Sequence, residues 1–167
     1  PERPRWVIGS VGPGTKLPTL GHAPYALLRD AYQEQCEAMI EGGVDAVLVE
    51  TSQDLLQTKA ALVGAQRAMT ATGTRVTVEL TGTMLLGSEI GAALAALEPL
   101  GIDVIGMNCA TGPAEMSEHL RFLSQHATVP ISVMPNAGLP QLGKHGAHYP
   151  LTPSQLADAL EDFAEQY

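Results

Sequence analysis

The cysteine at position 109 is the residue of this sequence best placed for chemistry. It follows the apolar run Ile102 to Met107 and precedes a predicted helix that begins at Pro113. The free N–H groups and positive dipole of a helix N-terminus favour a thiolate there, and thiolates act as nucleophiles and metal ligands. A free cysteine is also commonly a small buried apolar residue, so position alone leaves both interpretations open. The second cysteine, Cys36, lies inside a predicted helix, and we expect it to be inert.

Two carboxylates accompany other apolar runs. Glu50 directly follows the run Ala46 to Val49, and Glu79 lies at the corresponding place in the next run. A carboxylate at the end of a strand can bind an ammonium group or act as a base. Glu50 could instead supply negative charge to the N-terminus of the following helix. We favour the functional interpretation for Glu50, and the support for Glu79 is weaker.

Two other motifs are poor candidates. The segment 12–16, Gly-Pro-Gly-Thr-Lys, superficially resembles a phosphate-binding loop but lacks the required spacing. Its proline, Pro13, and the nearby Pro18 also remove backbone donors that a phosphate would need. His145 and His148 could form a surface metal pair, but a solvated polar loop explains them better.

The elements that must position these residues repeat one pattern: an apolar run, a turn, then an amphipathic helix. The runs contain many β-branched residues and do not alternate with polar ones, which is typical of parallel strands covered on both faces. The predicted strands are Val7 to Val11, Ala46 to Val49, Val76 to Leu80, Ile102 to Met107 and Pro130 to Met134. The predicted helices are Tyr25 to Glu41, Leu55 to Met69, Ser88 to Leu97, Pro113 to His126 and one capped by Thr152 and Gln155.

Five βα units in series predict an α/β fold with an all-parallel sheet. An open doubly wound sheet and part of a (β/α)8 barrel both fit this pattern. As a barrel, the chain would be about three units short of closing. We expect residues 1–167 to form one domain, since this length supports one sizeable core.

Composition excludes several classes of function. The net charge of −9 argues against a nucleic-acid partner, because phosphate binding needs clustered Lys and Arg. No apolar run approaches the length of about 18 residues that spans a bilayer. Two cysteines in dissimilar settings suggest no disulfide framework, so we expect a cytoplasmic protein without a membrane partner.

Four peptides at the predicted strand ends together resemble one family. In order along the chain they are Gly9-Ser10-Val11-Gly12-Pro13, Val49-Glu50-Thr51 with Asp54, Gly106-Met107-Asn108-Cys109, and Pro135-Asn136-Ala137-Gly138-Leu139-Pro140. They are similar to the homocysteine-binding barrel of cobalamin-dependent methionine synthases. The resemblance implies a partial (β/α)8 TIM barrel with about five βα units present, incomplete at both ends.

The resemblance also implies a zinc site and a substrate site. Zinc would be held by three cysteine thiolates, of which this sequence supplies Cys109, and the two others are expected outside this chain. Homocysteine would lie against Glu50, Asn108 and Asn136, with Glu50 holding its ammonium group. The connection from Gly73 to Val76 is shorter than the family's pattern, so we expect that residues are missing there.

The implied reaction is methyl transfer to a zinc-bound homocysteine thiolate, giving methionine. The methyl group would come from methylcobalamin, and ultimately from methyltetrahydrofolate, each bound by other domains of a longer polypeptide. With one of three zinc ligands, this segment alone is expected to be inactive. A cobalamin-independent enzyme using betaine or S-methylmethionine remains an alternative, although the segments 81–86 and 135–140 favour the cobalamin branch. A non-catalytic open α/β binding module is a second alternative.

Overall fold

A computed structural model of the chain describes residues 3–82, 90–109, 111–143 and 146–167. Its helices are α1 (Tyr25–Glu41), α2 (Leu55–Thr72), α3 (Ile90–Leu97), α4 (Pro113–His126) and α5 (Pro153–Gln166). Its main sheet contains β1 (Ile8–Val11), β2 (Ala46–Ser52), β3 (Thr77–Gly82), β4 (Val104–Asn108) and β5 (Ile131–Met134). Two further short strands, β6 (Gln141–Gly143) and β7 (Gly146–His148), form a separate ribbon.

The main sheet is parallel throughout, and its strands lie in sequence order from β1 to β5. Strands and helices alternate along the chain, as in successive βα units. This arrangement confirms the predicted α/β class and all five predicted sheet strands. Because the strands are parallel, their carboxyl ends meet along one edge, where the βα connections begin.

The hydrophobic core lies between the sheet and its helices. On β2 and β3, alternate residues are buried, including Val47, Val49, Val78 and Leu80. Full burial of such side chains contributes roughly 1.5–3 kcal/mol each. The alternate positions of β2, among them Glu50, are only half-buried, so the polar strand-end residues lie on the opposite face of the sheet.

Helices α1 and α2 pack closely because Gly64 has no side chain at their contact. A β-carbon at Gly64 would lie 2.8 Å from the carbonyl oxygen of Arg29 and 2.9 Å from the backbone nitrogen of Gln33. Both obstacles are backbone atoms, which cannot rotate away. A substitution at Gly64 would therefore push α1 away from α2 and open the core above β1 and β2.

Two helix ends show typical capping. Thr152 and Gln155 form the predicted capping box at the start of α5. Gly73 ends α2 with a φ of 68°, in the left-handed region that glycine tolerates. Only residues 73–76 connect α2 to β3, which is an ordinary length for such a connection. The expectation that residues are missing at this connection stays a prediction.

The ribbon differs from the sequence analysis, which placed a polar loop there. Its strands have three residues each, too few for an alternating pattern to be recognised in the sequence. His148 lies on β7, whereas His145 lies outside the described residues, so the histidine pair stays untested. The loop of residues 81–86 and the start of the helix predicted from Ser88 also fall largely outside them.

Within the described ranges, no helix combines the length and apolar character needed to cross a membrane.

Candidate functional site

Polar residues from three strands meet at the carboxyl edge of the sheet. Glu50 lies near the end of β2, Asn108 ends β4, and Cys109 follows it. Ser10, on β1, lies beside β2 in the sheet register. These four residues and Thr51 form a connected set of contacts, which we call the strand-end cluster.

Glu50 is held by the neighbouring strand. The hydroxyl of Ser10 donates a hydrogen bond to Oε1 of Glu50, and the hydroxyl of Thr51 lies 3.5 Å from Oε2. Glu50 does not cap the following helix, because Asp54 does so by accepting a 2.9 Å bond from the backbone N–H of Gln57. Glu50 is therefore a half-buried carboxylate at the mouth of the sheet, and its functional role stays a prediction.

Asn108 connects β4 to β2, although β3 lies between them. Its side-chain oxygen accepts a 3.0 Å hydrogen bond from the backbone N–H of Thr51, and its amide donates a 2.8 Å bond to the Thr51 hydroxyl. The bridge therefore passes over the end of the intervening strand, β3, which ends at Gly82. Only 3% of Asn108 is exposed, so its polar atoms depend on these partners.

The amide of Asn108 also reaches Cys109. Its Nδ2 lies 3.3 Å from Sγ of Cys109, a donor position that suits a thiolate. Cys109 has a φ of 55° and Thr51 a φ of 51°, and these are the non-glycine residues of the described ranges with positive φ. Such conformations cost of order 1–3 kcal/mol each and are concentrated at functional sites. The side-chain amide of Asn108 therefore contacts both strained residues, Thr51 and Cys109.

Asn136 is linked to this region by a backbone hydrogen bond. Its N–H donates a 3.1 Å hydrogen bond to the carbonyl oxygen of Thr111, in the connection that follows Cys109. The backbone N–H of Cys109 in turn donates to the carbonyl oxygen of Met134, at 3.1 Å. The structure thus places the predicted residue Asn136 beside the Cys109 connection, with its side chain half-buried.

Cys36 has the inert setting that the sequence predicts. It lies on the buried face of α1, fully enclosed in the hydrophobic core. Burial, reinforced by the nearby negative charge of Glu37, raises the pKa of its thiol to about 11. Cys36 is therefore protonated at neutral pH and cannot serve as a thiolate ligand in this position.

The strand-end cluster supplies one sulfur for a metal ion. Among the described residues, no group of three or more His, Cys, Asp or Glu side chains is arranged to hold a metal. A catalytic zinc needs three protein ligands. These residues therefore fit one position of a zinc site, at Cys109, and do not complete the site by themselves.

Ser10 and Thr51 were not predicted as site residues, although both lie in the strand-end peptides. Their partners are distant in sequence: Ser10 is 40 residues from Glu50, and Thr51 is 57 residues from Asn108. The spacing within each peptide gave no signal for either contact. A weak signal did exist for Ser10, because a polar residue interrupts the apolar run of β1.

Comparison with known proteins gives one consistent family. The homocysteine S-methyltransferase family model matches residues 1–167. The chain is 66% identical over 173 residues to the methionine synthase of Mycobacterium tuberculosis and equally to that of Mycobacterium leprae. Both matches cover 100% of this chain and 14% of the relative, so the chain spans about one seventh of these proteins' length.

Solved structures share the fold at lower sequence identity. The apo form of the homocysteine methyltransferase MmuM from Escherichia coli matches with a TM-score of 0.66 and 22% identity, over 95% of this chain and 63% of that one. A putative phosphonomutase from Burkholderia cenocepacia matches with a TM-score of 0.51 and 16% identity, over 78% of this chain and 54% of that one. At these identities the likeness concerns the fold alone.

Proposed function

The chain belongs to the homocysteine S-methyltransferase family, and from that premise we propose that it is the homocysteine-binding part of a methionine synthase. In this proposal, residues 1–167 form one incomplete barrel domain whose strand-end cluster binds and orients homocysteine. The catalytic activity belongs to a complete polypeptide, and the segment alone is inactive. The 66% identity to two methionine synthases supports this assignment.

The observation that carries the proposal is the position of Asn108 between two functional groups. Its amide contacts Sγ of Cys109 at 3.3 Å and the Thr51 hydroxyl at 2.8 Å, next to the Glu50 carboxylate. A sulfur for metal binding and a carboxylate for an ammonium group are thereby fixed in one cluster. Homocysteine presents a thiol and an ammonium group, which these two groups complement.

Cys109 is, in this proposal, one of three thiolate ligands of a zinc ion. The other two must come from polypeptide outside these 167 residues, because the remaining cysteine, Cys36, is buried in the core. Bound zinc would lower the pKa of the homocysteine thiol and so supply a thiolate at neutral pH.

The residues of the chain itself bind and orient. Glu50 pairs with the ammonium group of the substrate. The hydroxyl of Ser10 holds the Glu50 carboxylate in place. Asn108 fixes Cys109 by the contact to its sulfur, and fixes the end of β2 through Thr51. Asn136 lies at the end of β5, where its half-buried amide is available to the substrate. Such positioning lowers the barrier by aligning the reacting sulfur with the incoming methyl group.

We propose that the methyl donor is methylcobalamin, recharged from methyltetrahydrofolate, with both cofactors bound by other domains of the complete protein. The relatives are named methionine synthases and are several times longer than this chain, which leaves room for such domains. A free thiol substrate and a thiolate ligand also suit a reducing compartment such as the cytoplasm.

The test is the donor dependence of homocysteine methylation by the full-length protein. We expect methionine to form from methyltetrahydrofolate when cobalamin is present, and not from betaine or S-methylmethionine. Formation from betaine or S-methylmethionine without cobalamin would contradict the donor and favour the sister enzyme class. No methylation from any of the three donors, with zinc-loaded protein, would favour a non-catalytic binding module.

A further inference from the structure

Two of the parallel strands are built alike. The segments 44–51 and 102–109 have the sequences Val-Asp-Ala-Val-Leu-Val-Glu-Thr and Ile-Asp-Val-Ile-Gly-Met-Asn-Cys, and each follows a glycine with a positive φ. The carboxylates of Asp45 and Asp103 each accept a 2.7 Å hydrogen bond from the backbone N–H of a valine on the neighbouring chain segment. The backbone N–H of each aspartate donates a 2.8 Å bond to the carbonyl oxygen of the same valine. Corresponding positions of the two segments can therefore be compared.

The two segments end in the same strained conformation. Their last residues, Thr51 and Cys109, have φ values of 51° and 55°. A positive φ is rare for a residue that is branched at the β-carbon, such as threonine, and it costs free energy that other contacts must offset. Between Val49 and Ser52, β2 has one more residue than β3 opposite, and such bulges re-aim side chains beside active sites. Thr51 thus has the place on its strand that the proposed metal ligand has after β4.

Thr51 holds the side-chain amide of Asn108 at both ends. Its backbone N–H donates a 3.0 Å hydrogen bond to Oδ1 of Asn108, and its hydroxyl accepts a 2.8 Å bond from Nδ2. The first bond fixes which end of the amide carries the N–H groups. The second hydrogen of Nδ2 is therefore left for Sγ of Cys109, 3.3 Å away. Without the Thr51 hydroxyl, the amide would be held at one end only.

The same hydroxyl lies beside the carboxylate of Glu50. Because it accepts a hydrogen bond from Asn108, its own hydrogen is available to Oε2 of Glu50, 3.5 Å away. Oε1 of this carboxylate accepts a hydrogen bond from the hydroxyl of Ser10, which leaves Oε2 on the side of Thr51. The Thr51 hydroxyl therefore joins the amide that contacts the sulfur of Cys109 to the carboxylate proposed for the substrate ammonium group.

We propose that Thr51 is a positioning residue that sets the spacing between the sulfur and ammonium sites, and so selects homocysteine over shorter amino-acid thiols. This inference rests on the proposed function, in which the substrate sulfur lies at the metal held by Cys109 and its ammonium group pairs with Glu50. Cysteine carries the same two groups with one methylene fewer between them. It can satisfy both sites only if they move towards each other, and the hydrogen bonds of the Thr51 hydroxyl resist that movement.

The experiment measures the dissociation constants of homocysteine and cysteine for the full-length, zinc-loaded protein by calorimetry, with no methyl donor added. The unmodified protein should prefer homocysteine about 10- to 200-fold, the usual value of one methylene. Thr51→Val keeps the branched shape but removes the hydroxyl, and it should lower this preference by about tenfold. Thr51→Ser retains the hydroxyl and should retain the preference. If Thr51→Val does not fold, Thr51→Ala removes the same hydroxyl without the branched β-carbon and decides the question.

The matched control is Thr58→Val on α2. The buried hydroxyl of Thr58 also makes a 2.8 Å hydrogen bond, which it donates to the carbonyl oxygen of Asp54, so the same chemical group is removed away from the strand-end cluster. Its preference for homocysteine should equal that of the unmodified protein. A preference that survives in Thr51→Val, or an equal loss in Thr51→Ser or Thr58→Val, would overturn the role of Thr51. Equal binding of both thiols by the unmodified protein would also overturn it, whereas no binding of homocysteine at all would overturn the proposed function.

Discussion

The two cysteines of this chain lie in regions with opposite physical character. Cys36 is on the core-facing side of α1, fully buried, with a thiol pKa raised to about 11. Cys109 is in the connection after β4, half-buried, with a φ of 55° and an amide donor 3.3 Å from its sulfur. Residue type is the same at both sites, so the environment alone separates a packing residue from the proposed metal ligand.

The comparison also shows where the chain accepts strain. The core around Cys36 is packed from regular helix and strand, whereas the strand-end cluster contains both positive-φ non-glycine residues of the described ranges, Thr51 and Cys109. Asn108 joins those two residues by hydrogen bonds. The hydrogen bonds of Asn108 stabilise the strained backbone at Thr51 and Cys109.

The largest expected effect separates the two cysteines directly. Cys109→Ser in the full-length protein should lower methionine formation by at least about 100-fold, because it removes a proposed zinc ligand. Cys36→Ala should leave the rate within about twofold, since that side chain only packs. Steady-state rates with saturating homocysteine and methyltetrahydrofolate measure both. Full activity of Cys109→Ser would contradict the assignment of Cys109.

Glu50 extends the comparison to the second functional group of the cluster. Glu50→Gln should raise the KM for homocysteine roughly 10- to 100-fold, since hydrogen bonds to charged groups contribute about 1.5–3 kcal/mol. Glu79→Gln is the control, because Glu79 aligns with Leu48, one level farther from the carboxyl edge. Initial rates over a range of homocysteine concentrations give both values. Equal effects of the two variants would refute a specific ammonium contact at Glu50.

Asn108 tests whether the polar bridge positions Cys109. Asn108→Ala should weaken zinc binding about tenfold, as loss of a residue that orients a ligand usually does. Asn108→Asp should be at least as damaging, because it replaces the amide donor by a negative charge beside the sulfur. Competition with a chelator in the full-length protein measures the affinity. Unchanged zinc affinity in both variants would limit Asn108 to a structural role.

The smallest effect concerns the core cysteine and pH. Because the pKa of Cys36 rises from 9.0 to about 11 on folding, its contribution is fully present below pH 9 and lost as pH rises through about 11. The stability advantage of the unmodified protein over Cys36→Ala should therefore shrink, by about 1–2 kcal/mol, between about pH 8 and pH 11. Urea unfolding at these two values, followed on the transition that Cys36→Ala shifts, would measure it. Tyr32, whose pKa burial also raises, is common to both proteins. An advantage that does not change with pH would contradict the raised pKa, because the thiol would then ionise alike in the folded and unfolded states.

The regular part of the fold could be predicted because its signals are local. Parallel strands buried by helices read as apolar runs, and α5 begins at a capping box that four consecutive residues encode. The ribbon could not be predicted, because its strands are too short to show a period. The sequence also placed Glu50 and Cys109 at strand ends, where parallel sheets carry chemistry.

The contacts that organise the strand-end cluster could not be predicted from local sequence patterns. The bond from Ser10 to Glu50 and the bridge from Asn108 to Thr51 join residues 40 and 57 positions apart. They depend on strand order, which no single peptide encodes. The resemblance of four peptides in order indicated the family. The hydrogen-bond partners within the strand-end cluster became known only from the structure.

The central claim is that Cys109 binds zinc together with ligands outside this chain. The direct measurement is zinc per polypeptide in the full-length protein, in its Cys109→Ser and Cys36→Ala variants, and in residues 1–167 alone, all prepared reduced. The account predicts about one zinc in the full-length protein and in Cys36→Ala, and close to none in Cys109→Ser or in the 167-residue segment. A full complement of zinc in Cys109→Ser, or none in the reduced full-length protein, would contradict it.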